Sequence, residues 1–361
     1  MPARVMRAQV AEAQAAAVNH PLLLRRGVRW LIAAVVVSMI PSAAVGRAAT
    51  SEQKGRVTLA FGGDVNLERR SVAQGFPGGF STLPDLLGGA DIAMINLETA
   101  ITTRGTPEKK MYQFRTHPRV LESLYKSGVD VVSMANNHSI DFGREVGLAD
   151  TLRARAKSEL AVIGIGENLA DAMSPYRKTI NNTAVSIFAV AAMGMPGSTS
   201  NTWPAKKDRS GMVLWQQHRS AVLNAIKKES KKADVIVVFM HWGDEYAVCP
   251  NGTQKSIADE LFLAGADVIV GAHPHILQGT SLSNNKLIAY SLGNFSWYAN
   301  YSLSGALLTV KIDDGKVTGY SMTPTIWDRY GLPMRATGSR KSQIEASIKT
   351  ANACGGLKRN T

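Results

Sequence analysis

Acidic, amide and histidine side chains recur at one kind of position in this 361-residue chain, directly after short apolar runs. Six apolar runs end in such residues: Asp64, Asn96 with Glu98, Asn136 to His138, His241, His273 with His275, and Asn294. Carboxylates and imidazoles together suit zinc, iron or manganese better than calcium. The pattern therefore predicts a metal site assembled from distant parts of the chain.

The histidines strengthen this interpretation. Four of the seven, His138, His241, His273 and His275, follow these apolar runs. A single histidine is more often structural or exposed. His273 and His275 are separated by one proline. Alternate residues of an extended segment point to opposite sides, but at the end of a strand both of these side chains can reach adjoining metal ions.

The elements that must position these residues are short strands alternating with helices. The apolar runs predict strands at 57–61, 91–95, 129–134, 234–240, 267–270 and 286–290. Helices are predicted at 119–126, 145–157, 214–231 and 254–264. Ligands of α/β sheets bind at the carboxyl ends of the strands, where the loops of several strands converge. The polar clusters are therefore expected at one edge of an α/β fold.

The pattern indicates one domain, 56–325, between two segments of different character. A hairpin of strands 307–312 and 317–322, with its turn at Asp313-Asp314-Gly315, is expected to close the domain. Residues 326–361 are predicted to form a C-terminal tail with one short helix near 342–351.

Residues 1–50 are predicted to be an export signal or an N-terminal membrane anchor. Arg25, Arg26 and Arg29 precede an apolar stretch at 30–46 that ends in small residues, which is typical of secretory signals. Cleavage is expected near Ala44 or Ala49, with retention as a single anchor as the alternative. Either outcome places the body in the periplasm or on the outer face of the cytoplasmic membrane. Export would also permit a disulfide between the two cysteines of the chain, at positions 249 and 354.

Composition excludes several classes of protein. One apolar run is too few for a multi-span transporter. No Gly-x-Ser-x-Gly or GxxxxGK[ST] sequence is present, so a serine hydrolase and a P-loop enzyme have no support. The net charge of +13 favours an anionic partner, or serves only solubility. No basic stripe interleaved with aromatic residues occurs, so no nucleic acid is expected as a partner.

The motifs together resemble the CapA family of capsule, or poly-γ-glutamate, biosynthesis proteins, a branch of the calcineurin-like metallophosphoesterase superfamily. The resemblance runs from about residue 57 to 322. It is carried by Gly63-Asp64, Asn96-Leu97-Glu98-Thr99, Ala135-Asn136-Asn137-His138-Ser139-Ile140-Asp141-Phe142-Gly143, His241-Trp242-Gly243-Asp244-Glu245-Tyr246, Gly271-Ala272-His273-Pro274-His275 and Tyr290-Ser291-Leu292-Gly293-Asn294-Phe295. It implies a metallophosphoesterase-like four-layer αββα sandwich in a single domain.

The resemblance also implies two divalent metal ions, of manganese, iron or zinc. Asp64 and His275 would bind the first ion, and Glu98 would bridge the two. The second ion would be bound by Asn137, His241 and His273. One departure concerns Asn66, which stands where the wider superfamily has a histidine, so the first ion would lose a nitrogen ligand.

His138 would be the acid that protonates the leaving group, with Asp141 as its partner. Because Asp141 lies three residues further on, we expect it to stabilise an imidazolium at His138 near neutral pH.

Two classes of function follow from these features. The first is an exported metal-dependent hydrolase, phosphoesterase-like or specific for γ-glutamyl amides, or a transferase, in capsule biosynthesis, export or anchoring. Its partners would be an anionic polymer such as poly-γ-glutamate and membrane capsule-synthase components. The alternative is a non-enzymatic, polyanion-binding component of a membrane capsule-assembly complex. A third is a structural metallofold that anchors a membrane synthase through residues 30–46.

Overall fold

The fold is seen in a computed structural model that describes residues 54–67, 80–193, 203–297 and 305–356. The predicted export signal at 1–50 lies outside these residues. Within the described ranges, no helix combines the length and the apolar character needed to cross a membrane.

Strands and helices are numbered in chain order. The strands are β1 (Val57–Val65), β2 (Ile92–Leu97), β3 (Ala100–Ile101), β4 (Arg115–Thr116), β5 (Val131–Ser133), β6 (Ala161–Ile163), β7 (Ile165–Gly166), β8 (Tyr176–Ile180), β9 (Thr183–Ala192), β10 (Gly211–Met212), β11 (Val235–Trp242), β12 (Val268–Ala272), β13 (Thr280–Ser283), β14 (Lys286–Ala289), β15 (Asn294–Ser296), β16 (Gly305–Asp313), β17 (Lys316–Trp327) and β18 (Pro333–Arg335). The helices are α1 (Leu83–Leu87), α2 (Arg119–Lys126), α3 (Ala149–Arg155), α4 (Leu169–Ala172), α5 (Trp215–Glu229), α6 (Gly252–Ala264) and α7 (Gly338–Asn352), with a π-helical turn, Gly143–Leu148, leading into α3.

Most strands belong to two sheets. The first has the order β18-β17-β16-β1-β2-β5-β6, and β15 also pairs with β1. Strands β1, β2, β5, β6 and β15 of this sheet run parallel. The second has the order β13-β14-β12-β11-β9-β8, with β9, β11, β12 and β14 parallel. Each sheet therefore gathers the carboxyl ends of its parallel strands at one edge, as the sequence predicts.

Successive residues along β11 of the second sheet pack alternately into two different hydrophobic cores. In β11, Val235, Val237 and Phe239 pack into a core shared with the first sheet, whereas Ile236 and Val238 pack into the core that holds the buried faces of α5 and α6. Helices α1, α2 and α3 contribute buried side chains to the core of the first sheet. The expected four-layer αββα sandwich is thereby confirmed.

Four aspartates align the parallel strands at the ends opposite to the polar clusters. Each immediately precedes a strand, and its carboxylate accepts a hydrogen bond from a backbone N–H of the neighbouring strand. The four pairs are Asp91 with Thr58 (2.8 Å), Asp130 with Ala93 (2.8 Å), Asp234 with Ala184 (2.9 Å) and Asp267 with Ile236 (2.8 Å). The N–H of each aspartate also donates to the carbonyl of the same partner. These four carboxylates are structural: they bind the backbone of neighbouring strands and are not part of the polar cluster that contains Asp64.

The predicted helices and hairpin are present, but the helix predicted at 145–157 begins as the π-helical turn before α3, and β17 extends beyond its predicted end at 322. Helix α6 begins at Gly252 because Asn251 and Gln254 form a capping box, with hydrogen bonds of 2.8 and 3.0 Å. The β16–β17 turn has Asp314 at φ 50° and Gly315 at φ 69°, as a two-residue hairpin turn of type I′ requires.

Residues after 326 contain more than the predicted helix. Strand β17 continues to Trp327, and β18 pairs with it as the edge of the first sheet. Helix α7 buries Ile344 beside Leu277 and Ala306. A disulfide joins Cys354, just after α7, to Cys249, with the Cα atoms 5.5 Å apart. This segment is therefore fastened to the domain at both of its ends.

Candidate metal centre

Three polar residues stand in register on neighbouring strands at the edge of the first sheet. Asp64 of β1 lies opposite Asn96 of β2 on one side and Asn294 of β15 on the other. The amide of Asn96 donates to Asp64 Oδ1 at 2.8 Å, and the backbone N–H of His273 donates to Oδ2 at 3.1 Å. The orientation of the Asp64 carboxylate is therefore fixed from both sheets.

His241 reaches the same place from the second sheet. It continues the alternate series of Val235, Val237 and Phe239, so its side chain faces the first sheet. Its Nδ1 lies 3.1 Å from the amide nitrogen of Asn96, and its Nε2 lies 2.7 Å from Oδ1 of Asn137.

His273 and His275 follow β12 in a strained backbone conformation. Their φ angles are 98° and 60°, in a region that residues other than glycine rarely adopt. With this backbone, both rings turn to the same side, with centroids 6.0 Å apart. His275 Nδ1 lies 3.2 Å from Asp64 Oδ2 and 2.9 Å from Asn294 Oδ1. The His273 ring lies 4.6 Å from that of His241.

Glu98 lies at the centre of the cluster. Its carboxylate is fully buried, and among the described residues neither oxygen has a hydrogen-bond partner. Two groups of side chains are close enough to hold a metal ion: Asp64 with Glu98 and His275, and Glu98 with His241 and His273. Because both groups contain Glu98, the arrangement fits two ions that share one carboxylate.

The chemistry of these donors also fits metal ions. Burial, followed by the charge of Asp64, raises the pKa of Glu98 well above its ordinary value. Burial lowers the pKa of His273 to about 4 and that of His241 well below its ordinary value, which favours neutral imidazoles that can bind a cation. The buried Nδ1 of His273 has no hydrogen-bond partner among the described residues. A cation would supply the missing partner of these atoms.

Asn136 fixes the loop that carries the next two candidates. Its amide donates to Asn96 Oδ1 at 3.1 Å and to the carbonyl of Leu97 at 2.9 Å, and its Oδ1 accepts the N–H of His138 at 3.1 Å. This loop places Asn137 against His241 and His138 beside Glu98, with His138 Nε2 3.8 Å from Glu98 Oε1.

His138 is held by a pair of opposite charges, the buried Asp141 and the half-buried Lys110. Its Nδ1 lies 2.6 Å from Oδ2 of Asp141, and Lys110 forms an ion pair with the other oxygen of that carboxylate. Lys110 Nζ also donates to the carbonyl of Asn137 at 2.6 Å and lies 3.2 Å from His138 Nδ1. The Phe114 ring stacks on the imidazole at 4.0 Å.

The expectation that His138 is protonated near neutral pH is wrong for this geometry. Burial lowers the pKa of His138 to about 4; Asp141 opposes this effect, and Lys110 adds to it. At neutral pH the imidazole is therefore uncharged. Its Nδ1–H faces the Asp141 carboxylate, which leaves the lone pair of Nε2 on the side of Glu98.

The structure thus brings all the predicted ligands together: Asp64, Glu98, Asn137, His241, His273 and His275. It places His138 at the border of this cluster and Asp141 behind it. Sequence reasoning missed Lys110, which comes from a polar loop with no apolar periodicity to reveal its burial. The amides of Asn96, Asn136 and Asn294 were visible as strand-end residues, but nothing in the sequence indicated that they orient the ligands.

A family model described as "Bacterial capsule synthesis protein PGA_cap" matches residues 58–298. The chain is 31% identical over 245 residues to "PGA biosynthesis protein CapA" of Bacillus subtilis (strain 168), covering 66% of this chain and 63% of that one. It is 32% identical over 198 residues to "Capsule biosynthesis protein CapA" of Bacillus anthracis, covering 52% of this chain and 46% of that one. The matches therefore span about half to under two thirds of these relatives.

One solved structure that matches part of this chain is that of a hypothetical protein from Thermus thermophilus. The TM-score is 0.48 at 17% identity, over 74% of this chain and 98% of that one.

Proposed function

Because the chain belongs to the family of bacterial capsule synthesis proteins described as PGA_cap, we propose that it is a metal-dependent hydrolase or transferase in the synthesis, export or anchoring of a bacterial capsule. The polymer is an anionic chain, with poly-γ-glutamate suggested by the names of the similar Bacillus proteins. The observation that carries the proposal is the buried Glu98 carboxylate, which is common to two groups of potential metal ligands.

In this proposal, Asp64, Glu98 and His275 would hold one divalent ion, and Glu98, His241, His273 and Asn137 would hold the other. The ions, when bound, supply Lewis-acid activation of water and of a substrate oxygen. The amides of Asn96 and Asn294 orient Asp64 and His275, so the ligands are positioned before any ion arrives. Asn66, which is buried after β1, occupies the position of the histidine that the wider superfamily carries.

His138 moves the proton in this scheme. Its neutral Nε2 can take a proton from the attacking water and then give it to the leaving atom. Asp141 keeps Nδ1 protonated and stabilises the imidazolium that forms in between. Lys110 holds the carboxylate of Asp141 and the carbonyl of Asn137, so it fixes the position of the His138 ring.

The test combines metal analysis with turnover. The purified protein, loaded with manganese, iron or zinc, is expected to bind about two ions and to cleave either a generic phosphodiester or a γ-glutamyl polymer. A protein that binds no metal and cleaves neither compound would contradict the proposal.

The second candidate function is a non-enzymatic component that binds a polyanion within a membrane assembly complex. Two features favour it: Asn66 stands where the wider superfamily has a histidine, and the net charge is +13. Stoichiometric binding of the polymer without turnover, in a protein that carries its metals, would establish this function in place of the first.

The proposal also places the protein outside the cytoplasm, associated with capsule-synthase components of the membrane. The arginine-flanked apolar stretch of the sequence supports export, and so does the Cys249–Cys354 disulfide, since disulfides persist in oxidising compartments. Fractionation and N-terminal sequencing of the native protein test it. A full-length cytosolic protein with free thiols would contradict it.

A further inference from the structure

Five aromatic rings form a continuous series across the candidate metal centre. From one end to the other, the ring centroids are 6.5 Å apart for Tyr112 and Phe114, 5.9 Å for Phe114 and Trp297, 4.6 Å for Trp297 and His275, and 6.1 Å for His275 and Tyr246. We call this series the aromatic arc. It passes both sides of the centre, because Phe114 stacks on His138 and His275 contacts Asp64.

The two ends of the aromatic arc are exposed although its middle is buried. Tyr112 is 59% exposed and Tyr246 is 53% exposed, whereas Phe114, Trp297 and His275 are buried. Large exposed aromatic side chains beside a polar cluster are typical of binding surfaces. Tyr246 has φ 61°, and its N–H donates to the carbonyl of Pro274, so the backbone holds this residue against the His273–His275 segment.

The charges at the two ends of the arc differ in sign. The Tyr112 end carries Lys109, which is exposed, and Lys110, whose charge reaches Glu98 and His138. At the Tyr246 end, Asp244 and Glu245 are exposed, and their charges reach His273 and His275 respectively. A ligand that lies along the arc therefore meets a cationic end and an anionic end.

We propose that the aromatic arc is the substrate cradle, and that it holds the amino-terminal end of a γ-glutamyl chain across the metal centre. The flat amides and methylene groups of such a chain pack on the exposed rings. A side carboxylate of the chain lies near Lys109, and its terminal ammonium lies near Asp244 and Glu245. This inference rests on the proposed function for its site and extends it to the direction in which the chain is read.

Charge complementarity selects this occupant over a neutral glycan. A sugar ring would also stack on tyrosine, and its hydroxyls could form hydrogen bonds with these side chains, but a neutral sugar carries no charges to match the opposite charges of the two ends. The amino-terminal residue of a γ-linked chain carries its ammonium and a carboxylate on the same carbon and is neutral overall, whereas the last residue carries two carboxylates. A chain bound in the opposite direction would therefore bring two uncompensated carboxylates against Asp244 and Glu245, which is unfavourable.

Binding by calorimetry, with metal removed by a chelator, tests the cradle separately from catalysis. The probes are γ-linked triglutamate, the same compound N-acetylated, and a neutral trisaccharide. Wild type is expected to bind the free-amine triglutamate at least fivefold more tightly than the acetylated form and more tightly than the trisaccharide. Absence of triglutamate binding, or tighter binding of the trisaccharide, would overturn the proposal.

Variants assign the binding to the arc. Tyr112→Ala and Tyr246→Ala are each expected to weaken triglutamate binding by roughly 2- to 10-fold, the usual worth of one aromatic contact, whereas Tyr112→Phe and Tyr246→Phe stay within about twofold of wild type. Tyr125→Ala, which changes a 41% exposed tyrosine on α2, is the matched control and is expected to bind like wild type.

Two further variants test the direction in which the γ-glutamyl chain binds. Glu245→Gln should weaken binding of the free-amine triglutamate and leave the acetylated compound unchanged, whereas Lys109→Gln should weaken both. Unfolding curves confirm that each variant is folded. Equal binding of triglutamate by wild type and both alanine variants would show that the aromatic arc does not hold the chain. A normal cradle in a protein without turnover would instead show that only the proposed enzymatic function has failed.

Discussion

Asn137 and His241 meet across the two sheets, with Asn137 Oδ1 2.7 Å from His241 Nε2. Asn137 belongs to the loop after β5 in the first sheet, and His241 ends β11 in the second. The centre therefore exists only where the two sheets are packed together, and any change that separates the sheets will disperse its ligands.

The contrast between two histidines tests the roles assigned at this junction. His241→Ala removes a proposed ligand and is expected to lose at least one metal ion, because the group of Glu98, His241 and His273 would keep only one of its two nitrogen donors. His138→Ala is expected to keep its metal and lose roughly 10²- to 10⁴-fold in turnover, the usual contribution of a proton-transferring side chain. Metal analysis and rates on both proteins decide the matter. Loss of metal from His138→Ala would make His138 a ligand.

Glu98→Gln should stabilise the chelator-treated protein and abolish its metal binding. The Glu98 carboxylate is buried without a hydrogen-bond partner, close to Asp64, so the charge destabilises the fold when no cation is bound. Removing it should raise the midpoint of thermal unfolding by a few degrees, on the order of 1 kcal/mol. The pKa is raised in the folded state, so the difference should grow as pH rises above the ordinary range of a glutamate. A lower midpoint for the variant at pH 7 would show that the carboxylate is not a source of strain.

Gly271→Ala should be strongly destabilising. A Cβ at position 271 would lie 1.9 Å from the carbonyl oxygen of Tyr290, so the paired strands β12 and β14 would have to move. We expect a loss of at least about 2 kcal/mol in the free energy of unfolding, together with weaker metal binding through the displaced His273.

The matched control for that change is Gly319→Ala on β17. No atom lies within 4 Å of a Cβ built there. Its stability should stay within about 0.5 kcal/mol of wild type. Chemical denaturation of the three proteins measures both effects, and equal stabilities would refute the close approach of β12 to β14.

Glu229 should contribute stability that depends on pH. Its carboxylate pairs with Arg177 and accepts the hydroxyl of Ser186 at 2.8 Å, and these contacts outweigh burial and lower its pKa below the ordinary 4.5. A depressed pKa stabilises the fold above the pKa of the unfolded chain, and this stability is lost as pH falls through the folded value. Glu229→Gln should therefore be less stable than wild type by on the order of 1 kcal/mol at pH 7. The two unfolding curves should converge as pH falls below 4.5 and through the lowered pKa of the folded protein, and a difference that stays constant over that fall would contradict this.

The strands and the ligand residues could be predicted because they leave a direct trace in the sequence. A buried parallel strand is a short apolar run, and the residues after it lie at the ligand-binding edge. For β11 even the direction of His241 follows from the alternation of Val235, Val237 and Phe239.

The rest depended on tertiary packing. Lys110 approaches His138 from a loop whose path no periodicity defines, and burial by neighbouring elements changes the charge of His138 from the expected one. The positive φ of His273 and His275, which turns both rings to one side, is imposed by the packing around them and has no signature comparable to a glycine.

The four aspartates at the starts of the strands have a consequence for how this site can diversify. A strand that slid by two residues would carry its ligand about 6.6 Å, further than the spacing of two adjacent metal ions. Asp91, Asp130, Asp234 and Asp267 oppose such sliding from the far end of each strand pair. The ligands at the opposite edge stand at or shortly after the carboxyl ends of strands whose register is held in this way, so the parts of the loops beyond the ligands can change in length and sequence during evolution without moving the metal ligands.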